Sequence, residues 1–279
     1  MENKGKWLEF RFSFKDVESD VLVALLSELP FNSFMEDGEA LLAYIERSYL
    51  NEDVEQELKE LSEDYSFSYV MGELPDKDWN EEWESNFDPV FIDNICTIVA
   101  PFHKEVKIKG KKIILSPKMA FGTGHHHTTF GMISQMSKHD LKGKEVLDFG
   151  SGTGLLAIFA SMIGAENILA IDIEAPSYDN MQENFELNEV SNATPVLGGK
   201  EKIPAKAEFD FVLANITANV ILDSLDELAG SMKDNSVILF SGFFEKDLES
   251  IDEKCKSLDL EYISHEVYGG WVVAQFSKG

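Results

Sequence analysis

Residues 145–154 read Glu-Val-Leu-Asp-Phe-Gly-Ser-Gly-Thr-Gly, and Asp172 follows 18 residues after the last of these glycines. The pattern predicts a strand, a glycine loop, a helix and a second strand that ends in a carboxylate. Glycines let the backbone approach a ligand with no Cβ in the way. A helix opening after the loop turns its unpaired N–H groups and positive dipole end toward the same place. A carboxylate at the tip of the next strand can hold two ribose hydroxyls. Together these residues suit a nucleoside cofactor.

Which nucleoside depends on the neighbours. The dinucleotide fingerprint needs Gly-x-Gly-x-x-Gly. Here the glycines are 150, 152 and 154, and Leu155 stands where the third fingerprint glycine belongs. Asp148 lies two residues before the loop. A carboxylate there would oppose a pyrophosphate but would favour a positive sulfur and a free amine. That points to S-adenosyl-L-methionine rather than a nicotinamide cofactor. Further along, Phe209–Ala214 reads as a strand that breaks at Asn215-Ile216-Thr217-Ala218. Ligands of open α/β sheets bind at the carboxyl ends of strands, so Asn215 should share the pocket. Its amide offers an acceptor and two donors. It can hold an incoming amine and align the lone pair for attack on a methyl group; a helix N-cap is the competing role.

Just before the first strand lies Met119-Ala120-Phe121-Gly122-Thr123-Gly124-His125-His126-His127-Thr128-Thr129-Phe130. Its glycines, hydroxyls and aromatics suit a loop that closes over the cofactor and excludes water. The three adjacent histidines diverge and no acid lies within the loop, so no metal site is expected. One histidine acting as a proton acceptor stays open.

These residues must be positioned by regular elements. From Lys144 onward, strand candidates (145–149, 167–172, 194–197, 209–214, 236–241) alternate with helix candidates (154–164, 176–188, 218–231, 245–257). This is the pattern of a doubly wound, Rossmann-like α/β sheet. Residues 260–267 and 271–276 are two strands with only Gly269-Gly270 between, so the last strand must run antiparallel. A nicotinamide-binding fold would expect parallel strands there; the class-one methyltransferase fold ends in such an antiparallel strand. The N-terminal region reads strand, helix, strand, strand, helix, strand, a ferredoxin-like α+β arrangement. It has neither His nor Cys, so its task is binding or spacing. We expect domains at 1–72 and 119–279, joined by a linker at 73–118. That linker holds a short helix with Trp79 and Trp83, then strands near 95–100 and 106–115, with a solvated, five-lysine hairpin turned at Lys109-Gly110.

Bulk properties narrow the class. The chain has 279 residues, is 44% hydrophobic and 27% charged, and carries a net charge of −27. The composition is globular. Nucleic-acid binders need a basic footprint, so direct nucleic-acid binding is not expected and a basic polypeptide partner is favoured. No apolar run approaches the roughly 20 residues of a membrane span. A soluble, cytoplasmic monomer is expected, with Cys96 and Cys255 as reduced core residues.

MAFGTGHHHTT, LDFGSGTGLLAI, AIDIE and NITANVIL, in this order, resemble the ribosomal protein L-eleven methyltransferase (PrmA) family, and DWNEEWESNFDPV at 78–90 is similar to its linker. The resemblance covers essentially the whole chain. It implies a class-one S-adenosyl-L-methionine-dependent methyltransferase acting on lysine side chains and the α-amine of a large-subunit ribosomal protein. It also implies that the N-terminal domain recognises the substrate and that the linker lets it reorient. By the same resemblance Phe121, Gly122 and Thr129 belong to the cofactor loop, Gly150 and Gly152 to the glycine motif, Asp172 to the ribose and Asn215 to the transferred methyl. The expected cofactor-binding residues are therefore Phe121, Gly122, Thr128, Thr129, Asp148, Gly150, Gly152, Asp172 and Asn215, with Asn215 catalytic. Departures are His127 in place of a proline, Glu174-Ala175-Pro176 in place of Asp-Pro, and a short connection at 198–208. The rivals are a methyltransferase on another amine (a small molecule or nucleic acid), a non-catalytic cofactor-binding module, and a nicotinamide oxidoreductase.

Overall fold

The computed structural model describes residues 7–14, 19–26, 29–31, 33–37, 40–73, 88–116, 122 and 124–279. The expected tryptophan helix at 78–83 and Phe121 lie outside the described residues. The chain divides into two units, Met1–Trp83 and Glu84–Gly279.

In the first unit the order is β1 (Trp7–Ser13), α1 (Ser19–Leu26), β2 (Ser33–Asp37), β3 (Ala40–Glu46), α2 (Glu52–Asp64) and β4 (Ser68–Glu73). The strands form an antiparallel sheet ordered β2-β3-β1-β4. Period-2 alternation on β1 puts Leu8, Phe10 and Phe12 on one face. Leu41, Ala43 and Ile45 of β3 join them, and Leu22, Leu26 and Leu58 of the helices close that core. Asn51 caps α2: its Oδ1 accepts from the Val54 N–H at 3.0 Å.

The second unit opens with β5 (Val90–Ile92), β6 (Cys96–Val99) and β7 (Lys111–Ile114). Here the structure corrects the sequence reading. No hairpin turns at Lys109-Gly110; β7 pairs parallel with β6, and β5 pairs antiparallel with it. The Thr97 side chain explains the return path. Its hydroxyl donates to the Lys109 carbonyl at 2.9 Å and accepts from the Lys109 N–H at 2.8 Å. Gly110, at φ +67°, then lies so close to the Ile95 carbonyl that a Cβ would collide with it.

The rest is α3 (His127–Met136), β8 (Glu145–Phe149), α4 (Leu155–Met162), β9 (Asn167–Asp172), α5 (Ala175–Leu187), β10 (Ala193–Leu197), a 3-10 turn (Lys200–Lys202), β11 (Phe209–Asn215), α6 (Ala218–Ser231), β12 (Met232–Phe244), α7 (Glu245–Lys256), β13 (Leu260–Tyr268) and β14 (Trp271–Lys278). The strands form one mixed sheet ordered β10-β9-β8-β11-β12-β14-β13. β8 to β12 pair parallel, and β14 is antiparallel to β12 and β13. Alternating residues feed two cores. Val146, Ala170 and Leu213 pack with Ile133 of α3 and Ile158 of α4 on one face. Leu147, Ile171 and Val212 pack with Leu225 of α6 and Ile251 of α7 on the other. Ile92, Ile98 and Ile113 of the small sheet belong to the first of these cores. Cys96 and Cys255 are buried, one in each core, and burial pushes both thiols up to about 12. Among the described residues no helix is long and apolar enough to cross a membrane.

The sheet order places the site. The chain runs outward from β8 to β9 and β10, then returns to the other side of β8 at β11. Connections leave the carboxyl ends of β8 and β11 in opposite directions, which opens a crevice between them.

Candidate active site

From Phe149 the chain turns through Gly150, Ser151, Gly152, Thr153 and Gly154 into α4. Gly150 sits at φ +75°, where a Cβ would run into Ile216. Gly154, at φ +78°, packs against α5; a Cβ there would fall 2.8 Å from Met181 Cγ and from Phe185 Cε1. The glycines thus let one loop press against both of its walls. The first amides of the loop are turned inward. Gly150 and Ser151 donate to the Ile171 carbonyl at 2.9 and 3.0 Å, and Gly152 donates to Asp172 Oδ2 at 2.7 Å. With three donors engaged inside the protein, the loop is a poor cradle for a pyrophosphate, which needs such amides pointing at it.

Asp172 ends β9 and is buried. Its Oδ1 accepts from the Glu174 N–H at 2.9 Å, complementing the bond from Gly152 to Oδ2. A carboxylate has about four acceptor positions, so two backbone bonds fix it and leave two positions for other donors.

A small crevice is lined by Gly122, Thr129, Gly150, Ser151 and Asn215, with Leu155 and Leu156 as its apolar wall. Asn215 ends β11, and its Oδ1 is buried with no hydrogen-bond partner. It does not cap the next helix: Thr217 occupies the cap position of α6. Thr129, in the first turn of α3, also has a buried, unpartnered hydroxyl. Gly152 and Asp172 do not line the crevice, and neither does Asp148. It is fully buried on β8, and neither carboxylate oxygen has a partner. Burial pushes its carboxyl up to about 7. The nearby Ser151 hydroxyl and Ala157 N–H draw it back only in part, and the Asp172 charge raises it further. The Ser151 hydroxyl itself donates to the Asp148 carbonyl at 2.7 Å.

Buried polar atoms without partners are uncommon and call for a reason. Four such oxygens belong to Asn215 and Thr129, which line the crevice, and to Asp148, two residues before the glycine loop. All are hydrogen-bond acceptors or can act as acceptors, and one pair belongs to a carboxylate. That set of acceptors fits a ligand with N–H groups and positive charge, such as the amine and sulfonium of S-adenosyl-L-methionine, and not an anionic one.

The remaining expected residues fall around this centre. Gly122 lies against the glycine loop, and its carbonyl accepts from the Thr153 hydroxyl at 2.8 Å. Thr128 does not line the crevice; its hydroxyl lies 2.8 Å from His126 Nδ1. The three histidines separate. His125 Nε2 lies 3.0 Å from the Asp88 carbonyl, His126 sits edge-on to Trp271 at 4.9 Å, and the His127 ring packs on Gly269. Among the described residues no group of acids, histidines and cysteines could hold a metal ion. Ser151, Thr153, Leu155 and Leu156 were absent from the sequence-based set, although their place within and after the glycine loop already marked them as neighbours of a ligand.

A sequence model of the ribosomal protein L11 methyltransferase (PrmA) family matches residues 16–279. A ribosomal protein L11 methyltransferase of Phocaeicola vulgatus is 39% identical over 280 residues, covering 97% of this chain and 99% of that protein. One of Chlorobaculum parvum is 33% identical, covering 96% and 95%. Among solved structures, the ribosomal protein L11 methylase of Lactobacillus delbrueckii subsp. bulgaricus aligns with a TM-score of 0.63 at 26% identity, over 69% of this chain and 99% of that one. The family match spans both units, and the chain belongs to the ribosomal protein L11 methyltransferase family.

Proposed function

We propose that this chain is a cytoplasmic, monomeric protein N-methyltransferase that uses S-adenosyl-L-methionine and methylates ribosomal protein L11 on lysine side chains and the α-amine. Membership of the family supports the activity and the cofactor, and the relatives' names point to the substrate. The observation that carries the chemistry is the buried, unpartnered Oδ1 of Asn215 in the same crevice as Gly150 and Thr129.

In this reading Asp172 binds the ribose, Gly150 and Gly152 shape the loop beneath the cofactor, and Gly122 and Thr129 form the opposite wall, with Phe121 and Thr128 assigned to the cofactor by the family resemblance alone. Asp148 offers negative charge to the methionine end. When bound, S-adenosyl-L-methionine supplies a methyl group on a positively charged sulfur. Asn215 Oδ1 accepts an N–H of the neutral amine and so turns the nitrogen lone pair toward that methyl. Little acid–base help is needed once the amine is unprotonated, and orientation carries most of the barrier reduction. Leu155 and Leu156 exclude water from the same space.

The β2-β3-β1-β4 order with two core helices supports a ferredoxin-like N-terminal domain at 1–72 that recognises the substrate. The β14 pairing supports a class-one methyltransferase domain at 119–279, with 73–118 as the connection. The test is transfer of labelled methyl groups to purified L11 and, in parallel, to ribosomal RNA. Label on L11 amines, located by mass spectrometry, supports the reading. Label on RNA alone, or tight cofactor binding with no transfer to any ribosomal component, overturns it.

A further inference from the structure

Three asparagines recur every fourth residue on α5: Asn180, Asn184 and Asn188, the last at its C-cap. That spacing puts them on one helix face. Asn180 and Asn184 are wholly buried. Their amides do the work of a missing strand along the free edge of β7. Asn188 Oδ1 accepts from the Ile114 N–H at 2.8 Å, and its Nδ2 donates to the Ile114 carbonyl at 2.6 Å. Asn184 Oδ1 accepts from the Ser116 N–H at 2.7 Å, and Asn180 Nδ2 donates to the Ser116 carbonyl at 3.0 Å.

Asn184 alone also reaches the glycine loop. Its Nδ2 donates to the Thr153 carbonyl at 2.9 Å. Thr153 in turn uses its hydroxyl to hold the Gly122 carbonyl. Ser116 and Gly122 are therefore both tied to one point, Thr153, the first through Asn184 and the second directly. Only a carboxamide can serve here, because one end must accept from an amide and the other must donate to a carbonyl.

From this geometry we infer that Asn184 is a positioning residue for the cofactor site. It sets the glycine loop and the Gly122 wall at a fixed separation and acts on the reaction through Thr153, without touching cofactor or substrate. Asn188 places a similar hydrogen-bond load on β7 and makes no bond to the loop itself, its Nδ2 reaching only the Asn184 backbone carbonyl at 2.7 Å, so it is the internal control. The inference rests on the cofactor assignment above, and binding of S-adenosyl-L-methionine to the wild-type chain by calorimetry tests that assignment separately.

With wild-type binding established, Asn184→Ala should raise the cofactor Kd and KM by about tenfold while lowering kcat at saturating cofactor by less than about threefold. Asn188→Ala should leave Kd within about twofold even where its loss of Tm is as large. Thr153→Val should mimic Asn184→Ala, Thr153→Ser should restore the wild-type Kd, and the double variant should weaken binding by less than the product of the two singles, as expected for one connected network. Equal Kd changes in the Asn184→Ala and Asn188→Ala variants, or full multiplicativity in the double variant, overturn the inference. Should Asn184→Ala not fold, the Thr153→Val and Thr153→Ser pair decides the question: equal affinity in the two rejects it.

Discussion

Asp148 and Asp210 stand on neighbouring strands of one sheet, near opposite ends, and their surroundings differ in every respect. Asp210, at the start of β11, accepts from the Glu145 N–H at 3.0 Å and from Lys233 Nζ at 2.8 Å, with Lys144 Nζ at 3.8 Å. Burial alone would raise its carboxyl, but those partners bring it below the usual carboxylate range. Asp148, on β8 toward the loop end, has no partner on either oxygen, and burial drives it up to about 7. The amino end of the sheet satisfies its charge with the protein's own groups. At the carboxyl end Asp172 is held by two backbone amides, but Asp148 is not, and Asn215 and Thr129 are unpartnered too. A folding demand explains Asp210. It does not explain Asp148, whose burial opposes folding when it is ionised, and perturbed acids of that kind concentrate at functional sites.

The contrast breaks first at Asn215. Asn215→Ala should lower kcat on the order of a hundredfold, the scale of a misplaced reacting group, while cofactor Kd stays within about tenfold. Unimpaired turnover in a labelled-methyl assay would remove Asn215 from the site. Asp172→Ala comes next. It deletes the acceptor held by the Gly152 and Glu174 amides, and cofactor affinity should fall about tenfold to a hundredfold, the worth of one or two hydrogen bonds to a charged group. Unchanged affinity by calorimetry would reject the ribose contact.

Asp148→Asn sharpens the comparison through pH. Burial pushes the folded carboxyl above the usual carboxylate range, up to about 7. The folded state therefore holds the proton more tightly, and stability is greatest below the unfolded pKa and declines as pH rises toward about 7. Cofactor binding should show the reverse trend, because only the ionised carboxylate attracts a cation. Affinity should rise from about pH 6 to about pH 7.5, stopping short of the α-amine's own titration near 7.7. Asp148→Asn should flatten both trends. A pH trend in affinity that survives the substitution would assign it to another group.

Much of the second unit was legible because periodicity and punctuation agree there. Leu155–Met162 is apolar except for Ser161 and proved to be a helix buried over its first six residues, and Gly269-Gly270 leaves no room for a crossover between β13 and β14. The site's backbone followed from the glycine spacing, since at positive φ a Cβ at 150 would strike Ile216 and one at 154 would strike Met181 and Phe185. The small sheet was not legible. Lys109-Gly110 carries the local signature of a turn, whereas the parallel β6–β7 pairing depends on a Thr97 side chain 12 residues away. The asparagine face of α5 was hidden for a related reason. Buried amides that replace a strand have the same spacing as the solvated side of an amphipathic helix, and nothing local tells them apart. Both misses are long-range hydrogen bonds made by side chains to backbone, which hydrophobic pattern does not encode.

The smallest effect belongs to Asp210, and its sign matters more than its size. Asp210→Asn keeps the shape and an acceptor for the Glu145 N–H, but removes the charge that faces Lys233 and Lys144. Both lysines are partly exposed, so the loss should be about 1 kcal/mol or less and should shrink with added salt. Its pH dependence runs opposite to that of Asp148. The folded pKa is lowered, so the stabilisation is present above the unfolded value and is lost as pH falls through the folded one. At pH 8, Asp210→Asn should therefore lower Tm slightly and leave cofactor Kd unchanged, whereas Asp148→Asn should raise Tm and weaken binding. Paired melting and calorimetry on the two variants checks both signs at once. If Asp210→Asn weakened binding as much as Asp148→Asn does, the affinity losses would report general disturbance of the sheet, and the division between a satisfied end and a ligand-binding end would fail.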